Sequence, residues 1–392
     1  MTLKPSQLVS LLHSKRDDFA HFNHQAITDL QRYRTSLKQV AKLSAAEVDE
    51  KLRQCEAPGA IPLEPTHART GWILNAQLNF TSREQSFDWA RQRIVGVSTF
   101  AVDGSQVFPS KDLSLPIALV QVGWFENPHT LDGKYTKDVE LDVMTPAELR
   151  TSNSGEPADR RVNMRRFQME TERLITYMRS RQSCENCLVF LDGSLIATFA
   201  EALDAEGQKF YVDCLLSLLR TSEQTRVPLV AYIDTSYSRD LTTLLQVLFD
   251  LPPTRSVHDA QLLNPILQRW GDRSGCFRSV RGGDTGILSD YQEHENRIAF
   301  AYLKAHEGYP VRLEFPVWLV ESGLLDRVLD WVRCEVIIGG GYPYVIETAD
   351  QTAVLQAEDR YTFYRILQDW AEQEELSLRF SRKMVSKVRR RR

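Results

Sequence analysis

The sequence lacks any apolar run long enough to cross a bilayer as a helix, and it opens on no secretory leader. A reducing cytoplasm is therefore the expected compartment, and no membrane partner is expected. Cysteine is scarce, with six scattered residues in 392. Cys184-Glu185-Asn186-Cys187 is a lone CxxC, and the second pair that a zinc ribbon needs does not follow. The pair reads as the lead-in to a strand. Charge of one sign is lacking too. A formal net charge of −4 excludes binding of polyanions by bulk charge. The polar, glycine-rich stretch from Arg278 to Asp290 reads as a loop. No Lys-Ser/Thr follows Gly282-Gly283, so it is not a phosphate-cradling motif.

What is present is unevenly placed. The chain ends on Arg382-Lys383-Met384-Val385-Ser386-Lys387-Val388 and then Arg389 to Arg392. Such a tail reads either as a segment that touches nucleic acid phosphates or as a frayed, solubilising terminus. Hydrophobic residues make up 42% of the chain, enough for a sizeable core. The length suits one large domain with an appendage, or two domains.

Two matched stretches organise the rest. Arg93 to Val102 is a hydrophobic run that reads as a buried strand ending in Asp103-Gly104-Ser105. Cys187 to Leu191 is a second such run, ending in Asp192-Gly193-Ser194-Leu195. A carboxylate at a strand's end, before a glycine that lets the chain turn sharply, is presented to solvent. Two of them on neighbouring strands are candidate ligands for hard divalent cations such as Mg²⁺ or Mn²⁺. Taken singly, each Asp-Gly is also ordinary turn chemistry.

Residues 1 to about 90 read mostly as helix, with Ser44 a candidate N-cap and Pro58, Pro62 and Pro65 marking a loop. Ile117 to Trp124 reads as a strand. Val139, Leu141 and Val143 alternate with charged residues, a strand with one exposed face. A helix is expected from about Arg160 to Ser180. On helical spacing Glu170 shares a face with Phe167, Leu174 and Tyr177, while Glu172 lies on the wet side. A Glu that leans inward needs a partner. Either a cation or an i,i+4 pair with Arg166 supplies one. The order is strand with Asp103, two strands, helix with Glu170, strand with Asp192. It resembles a ribonuclease H-like fold: a mixed sheet flanked by helices, with a helical N-terminal region. Beyond Asp192 the pattern is α/β. Val227 to Ile233 reads as a strand closed by Asp234, and Asp259 is a candidate N-cap. Gly339-Gly340-Gly341-Tyr342-Pro343-Tyr344 leads into helices with Ala349-Asp350 in their early turns.

Taken together, these motifs resemble the NurA-domain nucleases, DNA-end-processing partners of the HerA hexameric ATPase. The matching parts are Val102 to Ser105, the helix with Arg166 and Glu170, Leu191 to Leu195, His258 to Leu263, and Gly341 to Tyr344 leading into Asp350. The resemblance implies a helical region over 1–90, a NurA nuclease domain over 91–375 and a basic tail over 376–392. It also implies a metal-dependent nuclease acting on single-stranded DNA and 5′ ends, in end processing and repair. Asp103, Glu170, Asp192 and Asp350 would be metal ligands and catalytic residues for Mn²⁺ or Mg²⁺, and Tyr342 and Arg166 would contact DNA. The implied partners are DNA, a HerA-like ATPase and a second copy of the chain in a homodimer.

Two positions depart from the family's pattern. Asp350 stands where the family usually has His, and Asp234 stands where it often has Lys. The departures keep an alternative open: a diverged subunit that docks on the ATPase without cleaving DNA. A ribonuclease H-like enzyme acting on RNA is a third reading, but no residue pattern here reads the sugar.

Overall fold

The computed structural model describes residues 3–64, 72–150, 158–283 and 286–379. Pro65 and the basic tail from residue 380 onward lie outside the described residues.

In chain order the first elements are α1 (Pro5–Ser14), α2 (Arg16–Gln39), α3 (Ala45–Arg53), β1 (Gly59–Pro62), β2 (Ile73–Leu74) and α4 (Arg83–Ile94). Then come β3 (Ser98–Val107), β4 (Ala118–Asn127), β5 (Thr136–Met144), α5 (Ala158–Ser180), β6 (Cys187–Asp192), α6 (Ala205–Thr225) and β7 (Leu229–Ile233). The remainder is α7 (Asp240–Phe249), α8 (Asp259–Leu263), β8 (Arg273–Ser274), β9 (Phe277–Val280), β10 (Ile298–Leu303), β11 (Val311–Pro316), α9 (Trp318–Glu321), α10 (Leu325–Ile338), α11 (Tyr344–Ala353) and α12 (Ala357–Gln373).

These elements form two compact units, each discontinuous in sequence. One takes residues 1–79 and 233–317, the other residues 80–232 and 318–392. This division differs from the expected 1–90, 91–375 and 376–392. The reason is a shared core. Tyr33 and Leu37 of α2, with Val48 and Leu52 of α3, pack in one cluster with Leu244 and Leu248 of α7 and with Phe277 and Phe300. In the same unit β1 pairs with β9, β9 with β10 and β10 with β11, all antiparallel. Ser44 caps α3 in a capping box, with Glu47 N donating to Ser44 Oγ at 3.2 Å and Ser44 N to Glu47 Oε2 at 2.7 Å.

The other unit carries the acidic motifs. Its strands run in the order β7-β6-β3-β4-β5. β3 and β4 pair antiparallel, as do β4 and β5, whereas β6 lies parallel to both β3 and β7. Three antiparallel strands, then a fourth beside the first and a fifth beyond it, make the ribonuclease H-like sheet. Two glycines let helices approach it. A Cβ on Gly104 would collide with the Glu170 carboxylate and meet Arg166 Cγ at 2.7 Å, so Gly104 faces α5. A Cβ on Gly123 would meet Ala353 N at 2.6 Å, so Gly123 faces α11. Asp103 lies opposite Gly123 in the ladder and shares its face. Strand residues alternate faces, so α5 and α11 cover opposite sides of β3 and β4.

Several local expectations are corrected. Arg93 and Ile94 close helix α4, and the strand begins only at Ser98. β3 does not turn at Gly104 but continues to Val107. Gly59–Pro62 is a strand within the expected Pro-marked loop, and Arg278 sits inside β9. β5 is bare on both faces through Leu141: Val139, Leu141 and Val143 are 39%, 57% and 47% exposed. Asp259 does not cap α8; His258 does, and Asp259 is the first helical residue. Asp350 lies late in the ten-residue α11, past its first turns.

Candidate active site

Asp192 is the last residue of β6, and the chain leaves the sheet at Gly193 with a φ of +129° that other residues rarely adopt. The parallel ladder ends at Ala101 and Phe190, two residues before each acid. Continuing that register sets Asp103 level with Asp192. The run before Asp103 is buried: Phe100, Ala101 and Val102 are 1–5% exposed. Burial of this run fixes the strand, and the strand fixes the acid.

Glu170 reaches the same place from α5. It is buried, and its Oε1 accepts from Arg166 Nη1 at 2.5 Å, one helical turn away. So the inward-leaning Glu170 has the Arg166 partner weighed from the sequence. Asp350 arrives from α11, and its side chain is hydrogen-bonded to the Asp103 carboxyl. Three contacts hold α11 in position. Gln121 Nε2 donates to Ala353 O at 2.8 Å, Leu355 N to Ser105 Oγ at 3.1 Å, and Val345 N to the buried Glu335 Oε2 at 2.9 Å.

The electrostatics follow from crowding. Burial pushes the Asp103 carboxyl up to about 6, with Asp350 and Asp192 adding to the rise and the Gly104 N–H opposing it. Burial likewise pushes Glu170 up to about 7. Arg166 pulls against that shift, while Asp103 and Asp192 reinforce it. This is a cluster of oxygen donors short of positive charge. Such a donor set, without Cys or His, fits a hard divalent cation. Among the described residues, no three such side chains already converge as a ready-made metal cage.

Residues 97–355 match the NurA domain. The chain belongs to the NurA domain family, a nuclease family. No curated protein matches it. Among solved structures, the catalytic domain of human endonuclease V is similar at 13% identity and a TM-score of 0.31, with 73% of this chain and 96% of that chain covered. The NurA match contains all four acids and leaves α1, α2 and α3 outside.

The other expected residues of the NurA domain separate. Tyr342 Oη donates to Asp192 Oδ1 at 3.2 Å, and its ring packs edge-on against Tyr232 at 5.2 Å. Tyr344 packs edge-on against Phe125 at 5.7 Å. Glu172 stays on the wet face and accepts from Gln168 Nε2 at 2.9 Å. Asp234 follows β7 and lies 3.1 Å from His306 Nε2. A cavity of about 420 Å³ opens at the acids, lined by Asp103, Arg166, Glu170 and Asp192 and also by Phe167, Phe199 and Tyr211. Nothing in the sequence marks Phe199 or Tyr211 as part of the site. The one available signal in the sequence is Phe167, on the Glu170 face of the helix.

Proposed function

We propose that this NurA-domain chain is a DNA nuclease dependent on Mn²⁺ or Mg²⁺, cutting single-stranded DNA and 5′ ends in end processing and repair. One observation carries the reading: Asp103, Glu170 and Asp192 line one cavity, and the Asp350 side chain is hydrogen-bonded to Asp103. Those four side chains would hold the metal, which when bound would lower the pKa of a water and offset the repulsion between the carboxylates and an anionic phosphodiester. The chain's own residues prepare the site. Tyr342 steadies the rotamer of Asp192 through its hydroxyl. Arg166 holds Glu170 against the sheet at Gly104 and places a guanidinium in the cavity wall, where a phosphate would pass.

Cleavage of end-labelled linear DNA with each metal tests the reading, beside Asp103→Ala and Asp192→Ala. Each substitution should lower the rate by on the order of 10³-fold. A wild-type rate in either folded variant would move the site elsewhere. The other reading, a docking subunit without cleavage, is favoured by Asp350 in place of the family's usual His. A folded wild-type protein that cuts nothing with either metal would select it.

In this proposal the chain works as a cytoplasmic homodimer with a HerA-like ATPase. Helix α1 supports that view, since Leu8, Leu11 and Leu12 are 43%, 60% and 50% exposed. A monomer by light scattering, with no complex formed by a cognate ATPase, would remove it.

A further inference from the structure

Phe199 sits in a 3₁₀ turn, Thr198–Ala202, just after the Asp192-Gly193 turn. Its neighbours are firmly anchored. Leu195, Ile196, Ala197 and Ala200 are all 0% exposed, and Ser194 Oγ closes a local turn with Ile196 N at 3.0 Å. On this anchored segment Phe199 alone among the large apolar side chains is 51% exposed. It is also braced. Its ring meets Tyr211 at 5.0 Å and 80°, and Phe167 at 6.1 Å and 64°, with those two rings 5.0 Å apart. Contacts of this kind fix an aromatic ring without covering both of its faces. The cavity it lines is the one that holds the acids.

A rigid, open aromatic face beside a phosphodiester site has one fitting occupant, a nucleobase. Every base has a π face, so stacking tolerates sequence. A cavity of about 420 Å³ has room for one nucleotide, and a base still paired within a duplex must leave its stack before it can lie on a ring there. We propose that Phe199 stacks the base of an unpaired nucleotide next to the acid cluster, and thereby sets the preference for single-stranded over duplex substrate. The inference rests on the nuclease reading above and names a specificity residue for it.

The test compares wild type, Phe199→Ala, Phe199→Leu and Phe199→Trp. The probes are a short thymidine oligonucleotide and an abasic deoxyribose-phosphate strand of the same length, each titrated with Ca²⁺ present. Phe199→Ala should raise the Kd for the thymidine strand by about tenfold to a hundredfold and leave the abasic strand's Kd where it was. Phe199→Leu keeps an apolar contact with Phe167 and Tyr211 but has no π face, so it should resemble Phe199→Ala. Phe199→Trp should bind as wild type does. Equal affinity of wild type for both strands, or equal losses on both in the variants, would overturn the stacking role and leave the nuclease reading standing. A wild-type protein that binds neither strand overturns both.

Discussion

Glu170 and Glu172 are two residues apart on α5 and meet opposite environments. Glu170 is buried against Gly104 and Arg166, and Glu172 is half exposed. Glu170→Gln should therefore lower the cleavage rate by on the order of a hundredfold, with Glu172→Gln close to wild type. Similar rates for the two variants would show that the face of the helix is irrelevant to the chemistry. Asp350 permits a finer test. Its charge helps to raise the Asp103 pKa, so Asp350→Ala should bring that pKa down, a shift that NMR of the Asp103 carboxyl carbon can follow. The same change should raise the metal concentration needed for half-maximal rate. Asp350→His should keep or raise Mn²⁺-dependent activity, because imidazole accepts Mn²⁺ more readily than Mg²⁺. An unchanged metal titration in Asp350→Ala would remove Asp350 from the ligand set.

At the scale of elements, two glycine notches set how near the helices come. Gly123→Ala would press a methyl into the Thr352–Ala353 backbone, where Thr352 C lies at 2.8 Å. α11 must then lift off the sheet and take Asp350 with it. We expect a loss of about 1–3 kcal/mol in stability from this overpacking, and a rate nearer to Asp350→Ala than to wild type. A stable, fully active Gly123→Ala protein would mean that α11 does not position the site. These notches also show where the sequence was legible. Buried runs ending at acids gave the strands of Asp103 and Asp192 and the ribonuclease H-like order, because continuous apolar runs are strong signals. The role of Gly104 was not legible. Asp-Gly-Ser occurs at both acids, yet Gly193 turns the chain while Gly104 makes room for Glu170 in an extended strand. That difference comes from a helix more than sixty positions away in sequence. Asp259 is a similar case. It accepts from Leu241 N at 3.0 Å and Thr242 N at 2.9 Å, and so caps α7 rather than the helix it begins. The strand β9 was hidden in a polar, glycine-rich stretch, and only its pairing with β1 and β10 makes it a strand.

At the scale of the molecule, the crowded acids make stability depend on pH in a definite direction. The folded-state pKa values of Asp103 and Glu170 lie above their ordinary values, at about 6 and about 7. Between those limits the folded state holds more protons than the unfolded chain, so folding is favoured at the acid end and weakens as pH rises. With metal chelated, the contribution of Asp103 and Glu170 to stability should be lost from about pH 4 to about pH 7, read as a fall in the wild-type melting temperature relative to that of Glu170→Gln across the upper part of that range. Mn²⁺ should raise the melting temperature more at pH 8 than at pH 5, because protonated carboxyls must first release their protons to bind it. Calorimetry with and without chelator measures both, and a metal effect independent of pH would contradict the raised pKa values. The acid-bearing unit is also split along the chain: its polypeptide departs after Tyr232 and returns only at Trp318. A ribosome therefore releases Asp103, Glu170 and Asp192 long before it releases Asp350 and the helix that carries it. Asp350 can join the other three acids only after residues 233–317 have been made, so the order of synthesis itself delays assembly of the acid cluster.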